Sequence, residues 1–344
     1  MKVAPIHRAM GVDGRLAPRL VHTGQHYDPA LSDQVMQDLE LPAPDHHLGV
    51  GSGHPSHQLA RILESLDPIV AERKPAAVMV VGDVTSTVAA GLVAANREVP
   101  LVHVEAGLRS FDWTMPEERN RIVVDRLSQF LFVTEPSGLR NLENEGMTHD
   151  GVHLVGNVMI DSLLRILPRA RAEKVPERLG LDGPYAVLTM HRPGNVDDLG
   201  RFRVMFEALG PIAERAPVIF PVHPRTRPML ASLEMPAGFR CIDPLRYLDF
   251  IGLVERSTLV LTDSGGLQEE TTVLGVPCIT LRPNTERPIT IEIGTNELVD
   301  SDAPRIRALG ESAFAGQWKK GSVPELWDGH AAERIVAILA EALG

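Results

Sequence analysis

Short apolar runs alternate with amphipathic stretches along most of this 344-residue chain. Residues 77–81, 101–104, 130–134, 152–155, 185–189, 218–222, 259–261 and 278–281 hold few polar positions, as strands buried on both faces do. Residues 58–70, 85–96, 139–145, 202–213 and 247–257 instead carry apolar residues at helical spacing. Shorter strands are predicted at 20–23 and 240–242, and shorter helices within 2–10 and over 33–39. A final amphipathic helix is predicted over 331–343. Residues 45–55, rich in glycine and histidine, read as a loop. Strand, helix and strand joined by short connections make βαβ units with right-handed crossovers. The pattern lapses into Pro, Arg, Lys, Glu and Gly around 165–184, which reads as a linker. The expected architecture is therefore α/β, with two Rossmann-like doubly wound domains facing across a cleft. The first covers 1–165 and the second 166–327.

Composition narrows the class. A hydrophobic content of 44% and a charged content of 23% are those of a soluble globular protein. A formal charge of −11 without a basic stripe excludes a nucleic-acid binder. Cys241 and Cys278 are the only cysteines, so neither a disulfide framework nor a thiolate metal cage is expected. No signal pattern or membrane-length apolar run is evident, which predicts a cytoplasmic protein without membrane contact. His46, His47, His54 and His57 cluster in a glycine-rich stretch without a thiolate or a rigid element, so no metal site is expected.

The candidate chemistry lies where strands end. In LVLTDSGGLQEE (259–270) an apolar strand runs through a glycine turn into a helix start. Ser264, Gly265 and Gly266 would present N–H groups and a positive dipole end to a phosphate. Glu270 would come near a ribose diol, although a plain strand–helix junction would use the same glycines. Asp83 and Glu105 each follow an apolar run at the same carboxyl edge of adjacent parallel strands, where open α/β sheets bind ligands. Asp83 could instead cap the helix opening at Thr85. Glu105, in VHVEAGL, would be costly to bury without a partner. Glu117 and Glu118 follow Pro116 at a helix start, where stability alone could explain both. His191 ends a strand beside Arg192, where an acid or a phosphate donor is useful, and His223 ends the next one.

These stretches resemble the non-hydrolysing UDP-N-acetylglucosamine 2-epimerases. The matching segments are VHTGQHYD (21–28), VVGDVTST (80–87), HVEAGLRS (103–110), MPEERNR (115–121), GNVMID (156–161), TMHRPGN (189–195), FPVHPRTR (220–227), TDSGGLQEETTVLGVPC (262–278) and RPNTERP (282–288). The resemblance implies the glycosyltransferase-B architecture, with the last helix (328–344) packing back on the first domain, and a homodimer. It implies acid–base work for Asp83, Glu105, Glu117 and His191. It places the nucleotide against Ser264, Gly265, Gly266, Glu270 and Arg287, with Phe250 near the base. Lys2, Arg192 and His223 join the substrate-binding set. The reaction it implies inverts C2 of the sugar by eliminating UDP and adding it back to a glycal, with no cofactor.

Three departures accompany it. The family's opening strand and Gly-x-Arg-Pro-Glu loop, which precede the position of Lys2, are not in the sequence. Pro193-Gly194 replaces a charged pair after His191-Arg192, which loosens any role for that loop beyond His191. Asp28 and His57 stand where partners of Gln25 are expected, so activation by substrate is not expected. Relatives acting on UDP-2,3-diacetamido glucuronic acid, a hydrolysing epimerase, a glycosyltransferase of the same architecture and a degenerate nucleotide-sugar binder remain the alternatives.

Overall fold

The computed structural model describes residues 1–24, 29–224, 226–230, 232 and 235–344, with the side chains of 29–33 and 193 left aside. Gln25 and Asp28 therefore lie outside the described residues, as does Arg225 of the 220–227 motif. The chain divides into two compact units, Met1–Ser162 with Glu325–Gly344, and Leu163–Pro324.

In the first unit β1 (Val21–His22) pairs in parallel with β2 (His46–His47). A separate four-stranded parallel sheet runs in chain order through β3 (Val78–Val81), β4 (Leu101–Ala106), β5 (Phe130–Val133) and β6 (Val152–Leu154). Every residue of β4 is buried, because helices cover both faces. On one face Val102, Val104 and Phe132 pack with Ile6 and with Ile335, Val336 and Leu339 of the terminal helix Ala331–Leu343. On the other, Val80 and Leu101 pack with Val88 and Val124, from the helices Thr85–Asn96 and Pro116–Leu127.

The second unit holds a six-stranded parallel sheet. Its strands are β7 (Ala186–Thr189), β8 (Val218–Pro221), β9 (Phe239–Ile242), β10 (Leu259–Thr262), β11 (Cys278–Thr280) and β12 (Asn296–Leu298), in the spatial order β12-β11-β10-β7-β8-β9. The chain thus starts at β7, grows outward to β9, then returns to the other side of β7 with β10. That reversal leaves a crevice beyond the carboxyl ends of β7 and β10, the usual ligand position in such sheets. Successive residues face opposite sides. Leu188, Phe220 and Leu261 pack under the helices Leu199–Arg215 and Ala303–Phe314, whereas Val187, Ile219 and Val260 meet Leu253 and Val254 of the helix Tyr247–Glu255.

Two expectations are corrected. The supposed linker at 165–184 begins inside a 15-residue helix, Val158–Ala172. Its polar look comes from exposed Arg165, Pro168 and Arg169, while Ile160, Leu163, Ile166, Leu167 and Ala170 hold a buried stripe at helical spacing. The 45–55 loop contains β2, and His54 caps the helix Pro55–Arg73 by accepting from the Ser56 N–H at 3.3 Å.

Candidate active site

In the first unit, β3 and β4 end side by side, with Val81 opposite Val104 and the Gly82 N–H donating to the Val104 carbonyl at 3.0 Å. Glu105 does not simply follow the strand. It sits in a bulge where the register of β4 against β5 shifts, at φ +78°. Such a conformation costs a non-glycine residue about 1–3 kcal/mol, which the surrounding packing must supply. Its carboxylate is 3% exposed and is ion-paired with the Lys2 ammonium. Gly82, at φ +76°, makes the space: a Cβ there would stand 3.2 Å from Glu105 Oε2. A glycine before Asp83 is thus favoured both by its backbone and by the nearness of Glu105.

Asp83 does not cap the following helix. Val84 is the N-cap, without a side-chain bond. Asp83 instead pairs with Arg121 Nη2 at 2.5 Å, and its carbonyl accepts from Asn120 Nδ2 at 2.8 Å. Both partners come from the helix Pro116–Leu127, which so joins the acidic edge. The same helix separates two glutamates that the sequence leaves equivalent. Glu118 is buried, accepting from Ser110 N at 2.8 Å and Phe111 N at 3.0 Å and pairing with Arg121 Nη1 at 2.5 Å. Glu117 is half-buried and makes no side-chain hydrogen bond or ion pair among the described residues. A carboxylate held by a helix yet not committed to the fold is free for proton transfer.

Beneath this edge lies a polar set that sequence reasoning missed. His103, in the middle of β4, meets Asp125 Oδ1 at 2.6 Å, and Arg109 Nη1 meets Asp125 Oδ2 at 2.7 Å. Burial works to raise the Asp125 carboxyl, but His103 and Arg109 outweigh it and hold it below the ordinary carboxylate range. The available signal was a histidine and a glutamate inside an otherwise apolar strand.

In the second unit, Ser264 is the N-cap of the helix Gly265–Leu274, directly after β10. The Ser264 N–H is taken by Thr262 Oγ1 at 2.9 Å, so Gly265 and Gly266, both half-buried, carry the open N–H groups of the first turn. A Cβ on Gly265 would stand 3.0 Å from Arg287 Nη1 and 3.1 Å from Glu286 Oε1. Buried Arg287 pairs with Glu269 at 2.7 Å and Glu286 at 3.0 Å. Glu286 also draws in Arg282 at 2.9 Å and Arg192 at 3.6 Å. Three guanidinium groups thus gather with Glu269 and Glu286 beside a helix N-terminus, an arrangement that suits a diphosphate. Arg282, Glu286 and Glu269 were not singled out from the sequence, since a run such as RPNTERP does not show which charges converge.

Glu270 is buried in the same helix, and the Tyr247 hydroxyl donates to its Oε1 at 2.5 Å. Burial pushes the Glu270 carboxyl up to about 7, against the lowering effect of Tyr247. Phe250, on the helix of Tyr247, is half-buried against the Val187 and Val260 side of the core.

His191 follows β7 across the reversal from Ser264. Its Nδ1 is 3.1 Å from Asp263 Oδ1, and its ring is 5.9 Å from that of exposed His223. Asp263 is fully buried and also accepts from Arg192 N at 2.9 Å and Asn195 Nδ2 at 3.1 Å. Burial opposes its ionisation, yet His191 and these donors hold its carboxyl below the ordinary range. After His191, residues Pro193–Val196 form a short helix, and buried Asn195 also donates to the Leu281 carbonyl at 3.1 Å. Lys2, Asp83 and Glu105 therefore gather on the first unit's edge, with Glu117 on the adjoining helix. His191, Arg192, His223, Ser264, Gly265, Gly266 and Arg287 gather at the second unit's reversal point.

Comparison with known proteins gives this geometry its context. A family model described as UDP-N-acetylglucosamine 2-epimerase matches residues 8–340. The UDP-N-acetylglucosamine 2-epimerase of Methanocaldococcus jannaschii is 36% identical over 98% of this chain and 95% of its own. The UDP-2,3-diacetamido-2,3-dideoxy-D-glucuronate 2-epimerase of Pseudomonas aeruginosa is 37% identical over 99% and 96%. The crystal structure of the M. jannaschii UDP-GlcNAc 2-epimerase in complex with UDP-GlcNAc and UDP superposes with a TM-score of 0.90, covering 99% of this chain and 96% of that one. Matched by the family model over residues 8–340 and by these relatives over nearly its whole length, the chain belongs to the UDP-N-acetylglucosamine 2-epimerase family.

Proposed function

We propose that this protein converts UDP-GlcNAc to UDP-ManNAc without hydrolysis, for the supply of cell-surface polysaccharide precursors. The observation that carries the reading is the acidic edge: Asp83 and Glu105 on adjoining strand ends, with Glu105 held in a strained bulge. The C2 proton of an N-acetylhexosamine is not acidic, so its removal must be coupled to loss of a stabilised leaving group. In this reading a carboxylate takes the C2 proton, the C2–H electrons form the C1=C2 bond, and the C1–O electrons leave with UDP. Re-addition of UDP to the glycal, with protonation from the opposite face, inverts C2. Asp83, Glu105 and Glu117 carry the proton traffic, and His191, oriented by Asp263, acts as a donor near the departing oxygen. Gly265, Gly266, Arg192, Arg282 and Arg287 stabilise the diphosphate charge. Glu270 and Phe250 serve the ribose and the base.

A second reading, 2-epimerisation of UDP-2,3-diacetamido glucuronic acid, is supported by the equally similar Pseudomonas relative. The resemblance further supports a cytoplasmic homodimer, which light scattering tests. The deciding experiment is proton NMR with each UDP-sugar in D2O, run with this chain and with one extended ahead of Met1. Deuterium at C2 with a new UDP-sugar signal supports the reading, and the substrate that exchanges identifies the sugar. Free UDP with free ManNAc would move the protein to the hydrolysing class, and no exchange with either sugar would sink the proposal.

A further inference from the structure

His103 is fully buried, and both its ring nitrogens face acceptors: Asp125 Oδ1 at 2.6 Å from Nδ1, and the Gly82 carbonyl at 2.9 Å from Nε2. A carbonyl oxygen cannot donate, so Nε2 carries a proton. Asp125 already accepts from the Gly107 N–H at 3.2 Å and pairs with Arg109, both of which favour its ionised form. Nδ1 is therefore a donor as well, and the ring is an imidazolium. The charges then balance, because Arg109 also pairs with Glu145 at 2.7 Å, giving two cations and two anions. Gly82 directly precedes Asp83, and Gly107 lies two residues beyond Glu105. Asp125 itself stands on the helix that bears Glu117 and Arg121. One hydrogen-bonded pair thus reaches every segment that carries an acid of this edge.

We propose that His103, as an imidazolium bonded to Asp125, is a positioning residue for the epimerisation. It holds the Gly82 carbonyl and, through Asp125, the Gly107 amide, and so sets where Asp83 and Glu105 stand. Only the kinetic part rests on the C2-epimerase reading; the protonation state stands without it.

Ring-15N NMR of the histidine-labelled protein, assigned through bonds from β4, tests the protonation state. Both His103 ring nitrogens are expected to carry a bonded proton, since each faces an acceptor; one protonated nitrogen overturns the proposal. In His103→Gln, kcat for C2 exchange is expected to fall about 10²-fold, with the UDP dissociation constant and KM within about threefold of wild type. Should that variant not fold, Asp125→Asn, which keeps the side-chain shape, carries the same expectation. A folded variant of either kind with unaltered kcat overturns the proposal. A wild-type protein without C2 exchange would instead refute the functional reading and leave the NMR result standing.

Discussion

The Tyr247 hydroxyl stands 2.5 Å from Glu270 Oε1 in a buried pair on the second unit, and Glu270 titrates near neutrality. The carboxyl is raised from 4.5 to about 7, first by burial, so the folded state favours its protonated form. Folding therefore takes up a proton between those values. Stability is fullest below about pH 4.5 with respect to this group and falls as pH rises toward 7, by about 3 kcal/mol in all. Glu270→Gln keeps an acceptor for Tyr247 without a charge. Thermal melts should show it more stabilised relative to wild type at pH 8 than at pH 5. An equal difference at both pH values would remove Glu270 as the titrating group.

Glu117 and Glu118 should separate cleanly. Glu118→Ala strips a buried partner from Arg121 and should cost about 3–5 kcal/mol in denaturant melts. Glu117→Gln touches no described bond, so its stability should stay within about 0.5 kcal/mol of wild type. Its C2 exchange rate should nevertheless fall by about 10²–10⁴. Normal turnover in Glu117→Gln would end its assignment as an acid–base group.

Asp263→Asn tests the orientation of His191. The amide has the size of the carboxylate but lacks the charge, and it can present an N–H toward Nδ1. Turnover should drop by about 10²-fold or more while UDP still binds. If turnover is retained, His191 does not depend on Asp263.

Arg287→Met removes a guanidinium that lies beside Gly265. Charge-assisted bonds of this kind are worth about 1.5–3 kcal/mol, so UDP affinity by calorimetry should weaken about tenfold or more. The loss should be larger for UDP than for uridine. Equal losses would place Arg287 away from the phosphates.

Much of this was legible in the residues. Apolar runs bounded by Gly82-Asp83, Glu105-Ala106-Gly107 and Ser264-Gly265-Gly266 marked strand ends, because strands buried on both faces admit few polar residues before they stop. The helix Ala303–Phe314 went unread, since much of its length is charged or small; Asp302, which caps it by accepting from the Arg305 N–H at 3.1 Å, was its signal. Val158–Ala172 was hidden by Pro168, although its apolar stripe was present.

By itself, then, the sequence determined the α/β class, the parallel strands and the glycine turns that open their carboxyl ends, because these follow from local periodicity and backbone freedom. Pairing was decided only by the tertiary structure. The bulge that strains Glu105, the pairing of Asp83 with Arg121, the bond from His103 to Asp125 and the approach of Arg192 to Glu286 all depend on register between segments far apart in the chain. A buried charge is set by whichever partner the fold brings within a few ångströms, and no spacing along the chain states that partner in advance.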